Sequence, residues 1–217
     1  MSAPPALGLH DADVVFTDLG LALLGAWLAW RLAWVPGKGN MARSGVLIMG
    51  ALASAALWGA SFHAFFPAGT STRAGFWAWM PVALSIAVIG TGLLVLALLV
   101  AAPGVAASTR GWIGAVYGAS FAFTVLLVDS SYRTIVCFYA PVVVLFLVVA
   151  TRQALRLRDA GWTLIAVSFA ISLLAAAVQQ ARISIHENFD HNALYHVLQA
   201  IALVLLYRGF LTADGPG

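Results

Sequence analysis

Residues 76–102 read FWAWMPVALSIAVIGTGLLVLALLVAA and carry no charged side chain. The hydrocarbon core of a bilayer is about 30 Å thick and takes roughly 20 apolar residues in a helix, because hydrocarbon gives an unpaired backbone N–H or C=O nothing to bond. This stretch is long enough to cross. Pro103 and Gly104 end it, and Pro67, Gly69, Thr70 and Ser71 precede it, so both flanks carry turn chemistry.

The same reading repeats along the chain. Further apolar runs fall at about 14–35, 44–66, 111–128, 135–150, 161–181 and 192–211. The expected fold is therefore all-α, a single seven-helix transmembrane bundle over residues 1–217, with no break long enough for a second domain. Composition agrees: 62% of the 217 residues are hydrophobic and 9% are charged, against about 25% charged in a soluble domain. The first thirteen residues lack the basic start of a signal peptide, so the first run reads as a retained span. The single cysteine, Cys137, excludes an intramolecular disulfide, a CxxC redox pair and a cysteine-rich metal site.

The charges set an orientation. With the N-terminus outside and the C-terminus cytoplasmic, Arg31, Lys38, Arg43, Arg110, Arg152, Arg156, Arg158 and Arg208 lie inside, and only Arg73, Arg133 and Arg182 lie outside. The acidic residues divide the other way: Asp159 and Asp214 are inside, while Asp11, Asp13, Asp18, Asp129, Glu187 and Asp190 are outside. The formal charge of +3 is thus a topology signal rather than a sign of a nucleic-acid or acidic partner. The expected setting is the plasma (inner) membrane, the expected partner a membrane lipid, and a homo-oligomer is compatible with the sequence.

In this topology His10, His63, His186, His191 and His196 all fall on the outer side. Ionisable groups at membrane depth are costly unless they face the bundle interior, water or a partner, which marks them as functional candidates. His63 stands near the outer end of span two, His196 just inside span seven, Asp18 at the outer start of span one and Asp129 at the outer end of span four. Helical spacing adds stripes. Ser168, Ser172, Gln179, Arg182 and His186 share a face of span six if the helix runs on past Arg182, Asn192, His196 and Gln199 share a face of span seven, and Tyr117, Ser120 and Thr124 form a third. Such residues also serve as interhelical packing contacts, worth about 0.6 kcal/mol on average. Histidine and arginine among them favour a polar pocket open to the outer face, with Asn192, Ser61, Arg182, Gln179, Gln199 and Tyr195 in its walls.

His63 and His196 are zinc-ligand chemistry, and catalytic zinc takes three protein ligands and a water. His191 is the third candidate, but it lies five positions before His196, about 140° away on an ideal helix, unless the helix starts after it. Asp190 or Asn192 is the expected cap.

At these residues the chain resembles the seven-helix hydrolase superfamily of alkaline ceramidases and progestin and adiponectin receptors. The matching segments are Gly59-Ala60-Ser61-Phe62-His63 and Asn192-Ala193-Leu194-Tyr195-His196-Val197. The resemblance implies a zinc-dependent hydrolase of lipid amides or esters, with His63 and His196 carried over as metal ligands. It departs from the family at Gly59, where a serine is expected, at Asn192, where a histidine is expected, and in span three, which has no carboxylate. His191, Asp18 or Asp129 then has to complete a rearranged metal site, with Asp18 or Asp129 as the base that takes a proton from a metal-bound water.

Two other readings remain open: a non-enzymatic seven-helix receptor or lipid-binding protein with a degenerate site, and a b-type haem protein with His63 and His196 as axial ligands. A retinal protein in its usual chemistry is excluded, because the only lysine, Lys38, lies in an inner loop. No internal repeat suggests a secondary transporter.

The orientation is testable by labelling with a membrane-impermeant maleimide in a Cys137→Ala background. Ser130→Cys is expected to react in intact cells and Arg158→Cys only after permeabilisation; the reverse pattern overturns the topology.

Overall fold

The computed structural model describes residues 11–35, 39–186 and 189–213. His10, Lys38, Glu187 and Asp214 lie outside these residues. Seven helices in the described chain are long and apolar enough to cross a membrane: α1 (Ala12–Ala33), α2 (Asn40–Phe65), α3 (Arg73–Ala101), α4 (Ala107–Leu127), α5 (Tyr132–Leu157), α6 (Ala160–Gln180) and α7 (His191–Thr212). A short 3₁₀ turn, Gly69–Ser71, joins α2 to α3.

Most of the starts are written locally. Thr72 accepts from the Gly75 N–H at 3.0 Å to cap α3, Asp159 accepts from Trp162 at 2.7 Å to cap α6, and Asp190 accepts from Asn192 and Ala193 at 2.8 and 2.9 Å to cap α7. Ser131 does the same for α5 through Thr134. Each cap satisfies backbone donors that the first helical turn leaves open.

The expected spans are correct in number, and the ends differ. α5 continues to Leu157 rather than ending at residue 150, about two further turns. Hydropathy stops at Arg152, but the segment TRQALRL contains no helix breaker, so the helix runs on as its charges reach the membrane surface. α4 likewise starts at Ala107, before Arg110, and α2 starts at Asn40, before Arg43.

Six helices close a ring in which α1 packs on α2, α2 on α3, α3 on α5, α5 on α6, α6 on α7 and α7 back on α1; α4 packs outside, against α3 and more lightly α5. Accordingly α4 exposes Trp112, Val116, Phe123 and Leu127. The ring's centre is filled by Leu28, Leu32, Ile48, Met49, Leu93, Leu96, Phe146, Trp162, Ile165 and Leu203, all essentially inaccessible. Most of these lie toward the end of the bundle that holds the end of α7, the inner half in the expected orientation, so that end is an apolar plug and the polar residues are left to the opposite, outer half.

The α6–α7 pair is drawn together at its inner end by two glycines. A Cβ on Gly161 would collide with the backbone of Ala213 and Thr212, and one on Gly209 would meet the side chain of Ile165 and the Gly161 carbonyl at 3.0 Å. Small residues of this kind let transmembrane helices approach backbone to backbone. Gly161→Ala is expected to lower stability by about 1–3 kcal/mol, since the clash is with backbone and cannot be relieved by a rotamer change. Gly20→Ala, which meets nothing within 4 Å, should be silent; thermal unfolding in detergent compares the two.

Candidate functional site

Asp18 lies six residues into α1 and His196 five into α7, each about 8 to 9 Å along its helix from the outer end. The α1–α7 contact brings them together. Asp18 Oδ1 is 3.2 Å from His196 Nε2, and Thr17 Oγ1 is 3.0 Å from His196 Nδ1. Adjacent residues of one helix therefore grip both nitrogens of an imidazole on another. Asp18 is 4% exposed and His196 8%, so the pair is withdrawn from solvent. A buried carboxylate is tolerable when paired and hydrogen-bonded, and this one has a partner at bonding distance.

Gly59 explains how Asp18 fits. A Cβ on that residue would lie 2.9 Å from Asp18 Oδ2, so the bare backbone of α2 makes room for the carboxylate. One turn further out on α2 stands His63, half-buried, with Nδ1 3.5 Å from Asp11 Oδ2. α1, α2 and α7 therefore converge on one outer-half cluster of Asp18, His196, Thr17 and His63.

A second polar layer sits above it. The Tyr132 hydroxyl donates to Gln179 Oε1 at 2.9 Å, Gln179 Nε2 donates to Asn192 Oδ1 at 3.0 Å, Asn192 Nδ2 donates to Asp190 Oδ2 at 3.1 Å, and the Asp190 N–H donates to Asp13 Oδ2 at 3.2 Å. This run of bonds ties α5, α6, α7 and α1 together at the outer face, one turn above His196. Below it, Ser172 donates to Gln199 Oε1 at 3.0 Å. The Tyr195 ring packs edge-on against the His196 imidazole, with centroids 5.2 Å apart.

Four of the expected site residues stand elsewhere. Arg182 is not a pocket residue: α6 ends at Gln180, and Arg182 has a left-handed backbone with φ 53° and is exposed, so the stripe breaks before it. Ser61 donates to the Leu57 carbonyl of its own helix at 3.1 Å. Asp129 does not join Asp18. It is an exposed carboxylate of the α4–α5 turn, accepting from the Thr134 hydroxyl and from the Ser131 N–H and hydroxyl at 2.9 and 2.8 Å. The Thr134 hydroxyl first, then the Ser131 N–H and hydroxyl, hold its pKa below the usual carboxylate value. Asp190 is the cap of α7 and His191 its first residue, so the helix does not start after His191, which stays about 140° from His196 around the helix; its Nδ1 lies 3.6 Å from Asp190.

Among the described residues no group of three or more His, Cys, Asp and Glu side chains is arranged to hold a metal ion. His63 faces Asp11, His191 faces Asp190, and both nitrogens of His196 are engaged. In this arrangement the donors do not fit a resident zinc. An open groove of about 550 Å³ runs between α2 and α3, bordered by Leu47, Gly50, Ser54, Pro81, Ser85 and Val88. It is apolar apart from the Ser85–Ser54 hydrogen bond at 3.0 Å and includes no ionisable side chain.

Thr17, Asp11, Asp13 and Tyr132 were not among the expected site residues. Thr17 had a visible signal, a hydroxyl beside the carboxylate that lies at membrane depth in the first span. Tyr132 had none, because its role depends on where α5 meets α6.

The sequence profile of a family of unknown function (DUF6962) matches residues 14–214, a range that includes every helix from the first turn of α1 to the end of α7. No curated protein and no solved structure matches the chain.

His196→Ala strands a buried carboxylate and is expected to cost about 3–5 kcal/mol. The double substitution Asp18→Leu with His196→Leu should recover most of that, since no lone charge is left behind. Unfolding of the two variants in detergent checks it, and equal losses in both would show that the pair is not formed.

Proposed function

The chain belongs to the DUF6962 family, whose function is unknown, and from that premise we propose that it is a membrane-embedded hydrolase of a lipid amide or ester, with His196 as the general base. The observation that carries this reading is the Asp18–His196–Thr17 contact. With Asp18 ionised, Nε2–H donates to the carboxylate and Nδ1 presents its lone pair, which is the orienter-and-base arrangement of acyl-transfer enzymes. The reaction class comes from the resemblance to alkaline ceramidases, an argument by analogy of layout and motif.

Thr17 stands where the reacting oxygen belongs. Its hydroxyl also reaches the Asp13 and Val14 carbonyls at 2.9 and 3.0 Å, so it keeps an acceptor when the imidazole is given up. A water that replaces it passes a proton to Nδ1 as its oxygen bonds the acyl carbon. The imidazolium formed is stabilised by Asp18 and returns that proton to the departing amine or alkoxide. His63, half-exposed above the pair, is the group that an incoming polar headgroup meets first.

The test is turnover of a panel of lipid amides and esters by the purified protein in vesicles. Wild type is expected to release fatty acid. Asp18→Asn and His196→Gln should lower kcat by at least about 100-fold, the size of a general-base contribution. A chelator should leave the rate unchanged, whereas loss of activity restored by zinc would return the reaction to a metal-dependent mechanism. No turnover on any substrate overturns the enzyme reading.

A second reading is a non-enzymatic receptor or lipid-binding protein. It is favoured by the full engagement of both His196 nitrogens, which suits a pair that locks α1 to α7 as well as one that reacts. The haem reading has a direct readout, a Soret band after haem supplementation.

A further inference from the structure

A small cavity of about 30 Å³ lies in the centre of the bundle, directly inward of His196. Its walls are mostly apolar, Ile48, Leu93 and Phe169 among them, but four polar side chains from three helices line it: Tyr139 on α5, Ser168 and Ser172 on α6, and Gln199 on α7. Space of this size holds about one water molecule, and a buried water needs two to four polar partners. Both conditions are met at the same place.

The hydrogen-bond inventory of these side chains leaves capacity over. Ser168 donates to the Ile165 carbonyl at 3.0 Å and Ser172 donates to Gln199 Oε1 at 3.0 Å, so each hydroxyl oxygen can still accept. Gln199 spends its carbonyl on Ser172 and its side chain also bonds the Tyr195 hydroxyl, which leaves one amide N–H to donate. Among the described residues the Tyr139 hydroxyl has no protein hydrogen-bond partner. Ser168, Ser172 and Gln199 already have protein partners, and a single water that accepts from Gln199 and Tyr139 and donates to the two serines uses their remaining capacity and gives the Tyr139 hydroxyl a partner.

We propose that this cavity is a binding site for one structural water, held by Tyr139, Ser168, Ser172 and Gln199. The water is the inward end of a polar column that follows one face of α7 through Asn192, His196 and Gln199. Beneath it Leu203, Leu206, Phe146 and Trp162 close the bundle, so hydration of the protein reaches the middle of the membrane from the outer side and stops. The site stands whether or not His196 is a catalytic base.

Two measurements on the full chain test it. In a wild-type structure at about 2 Å or better, solvent density is expected within hydrogen-bond distance of at least three of the four side chains; an empty cavity in such a map overturns the proposal. The second is thermal unfolding of Tyr139→Phe, which removes one hydroxyl and leaves the ring. If the water is present, the variant loses a hydrogen bond and its Tm falls by roughly 2 to 4 °C. If the cavity is dry, removing an unpaired hydroxyl leaves Tm unchanged or raises it, and the proposal fails. Ser168→Val separates the cases further, because its added methyl groups stabilise a dry cavity by filling it but evict a bound water and lower Tm. A variant that does not fold leaves the wild-type density to decide.

Discussion

A backbone inside a bilayer has no water to bond. Every N–H and C=O in the hydrocarbon must be satisfied within the chain, and a chain of this length without strands among its described residues does that with helices. Seven crossings follow, and with them the location of nearly every polar side chain. Charges that end a hydropathy run do not end a helix, which is why α5 carries Arg152 and Arg156 out of the membrane instead of stopping before them. The same constraint makes the few intramembrane polar groups find each other, since each has only protein to bond with.

The bundle responds by dividing its length. The inner half is a packed apolar core, and two glycines at the α6–α7 crossing let it close tightly. The outer half is where the polar groups gather, in a layered order: the Tyr132–Gln179–Asn192–Asp190–Asp13 bonds at the surface, the Asp18–His196–Thr17 contact below them, and the Ser172–Gln199 pair at the centre. α7 contributes to all three layers because Asn192, His196 and Gln199 recur at helical spacing. A single helix face thereby links the outer surface to the middle of the membrane.

Much of this arrangement was legible in the sequence. Apolar run lengths gave the number of spans, and the spacing of Asn192, His196 and Gln199 gave the face of α7 that looks inward. Asp18 was visible as a carboxylate at membrane depth. What misled was continuation: the stripe on α6 assumed a helix through Arg182, but the chain turns left-handed there and the residue leaves the bundle. Asp129 misled for a different reason. Its position at the end of a span suggested the site, yet its bonds to Ser131 and Thr134 make it a turn-stabilising group.

The sequence by itself determined the spans and the helix faces that carry polar groups, because these depend on local periodicity and on the cost of charge in hydrocarbon. Only the tertiary structure decided partners. That Asp18 meets His196, that Gly59 vacates the space for its carboxylate, and that His191 faces Asp190 instead of completing a metal site all depend on the rotation and depth of α1, α2 and α7 against one another. Those are set by packing between segments far apart in the chain, and periodicity within one helix carries no information about them.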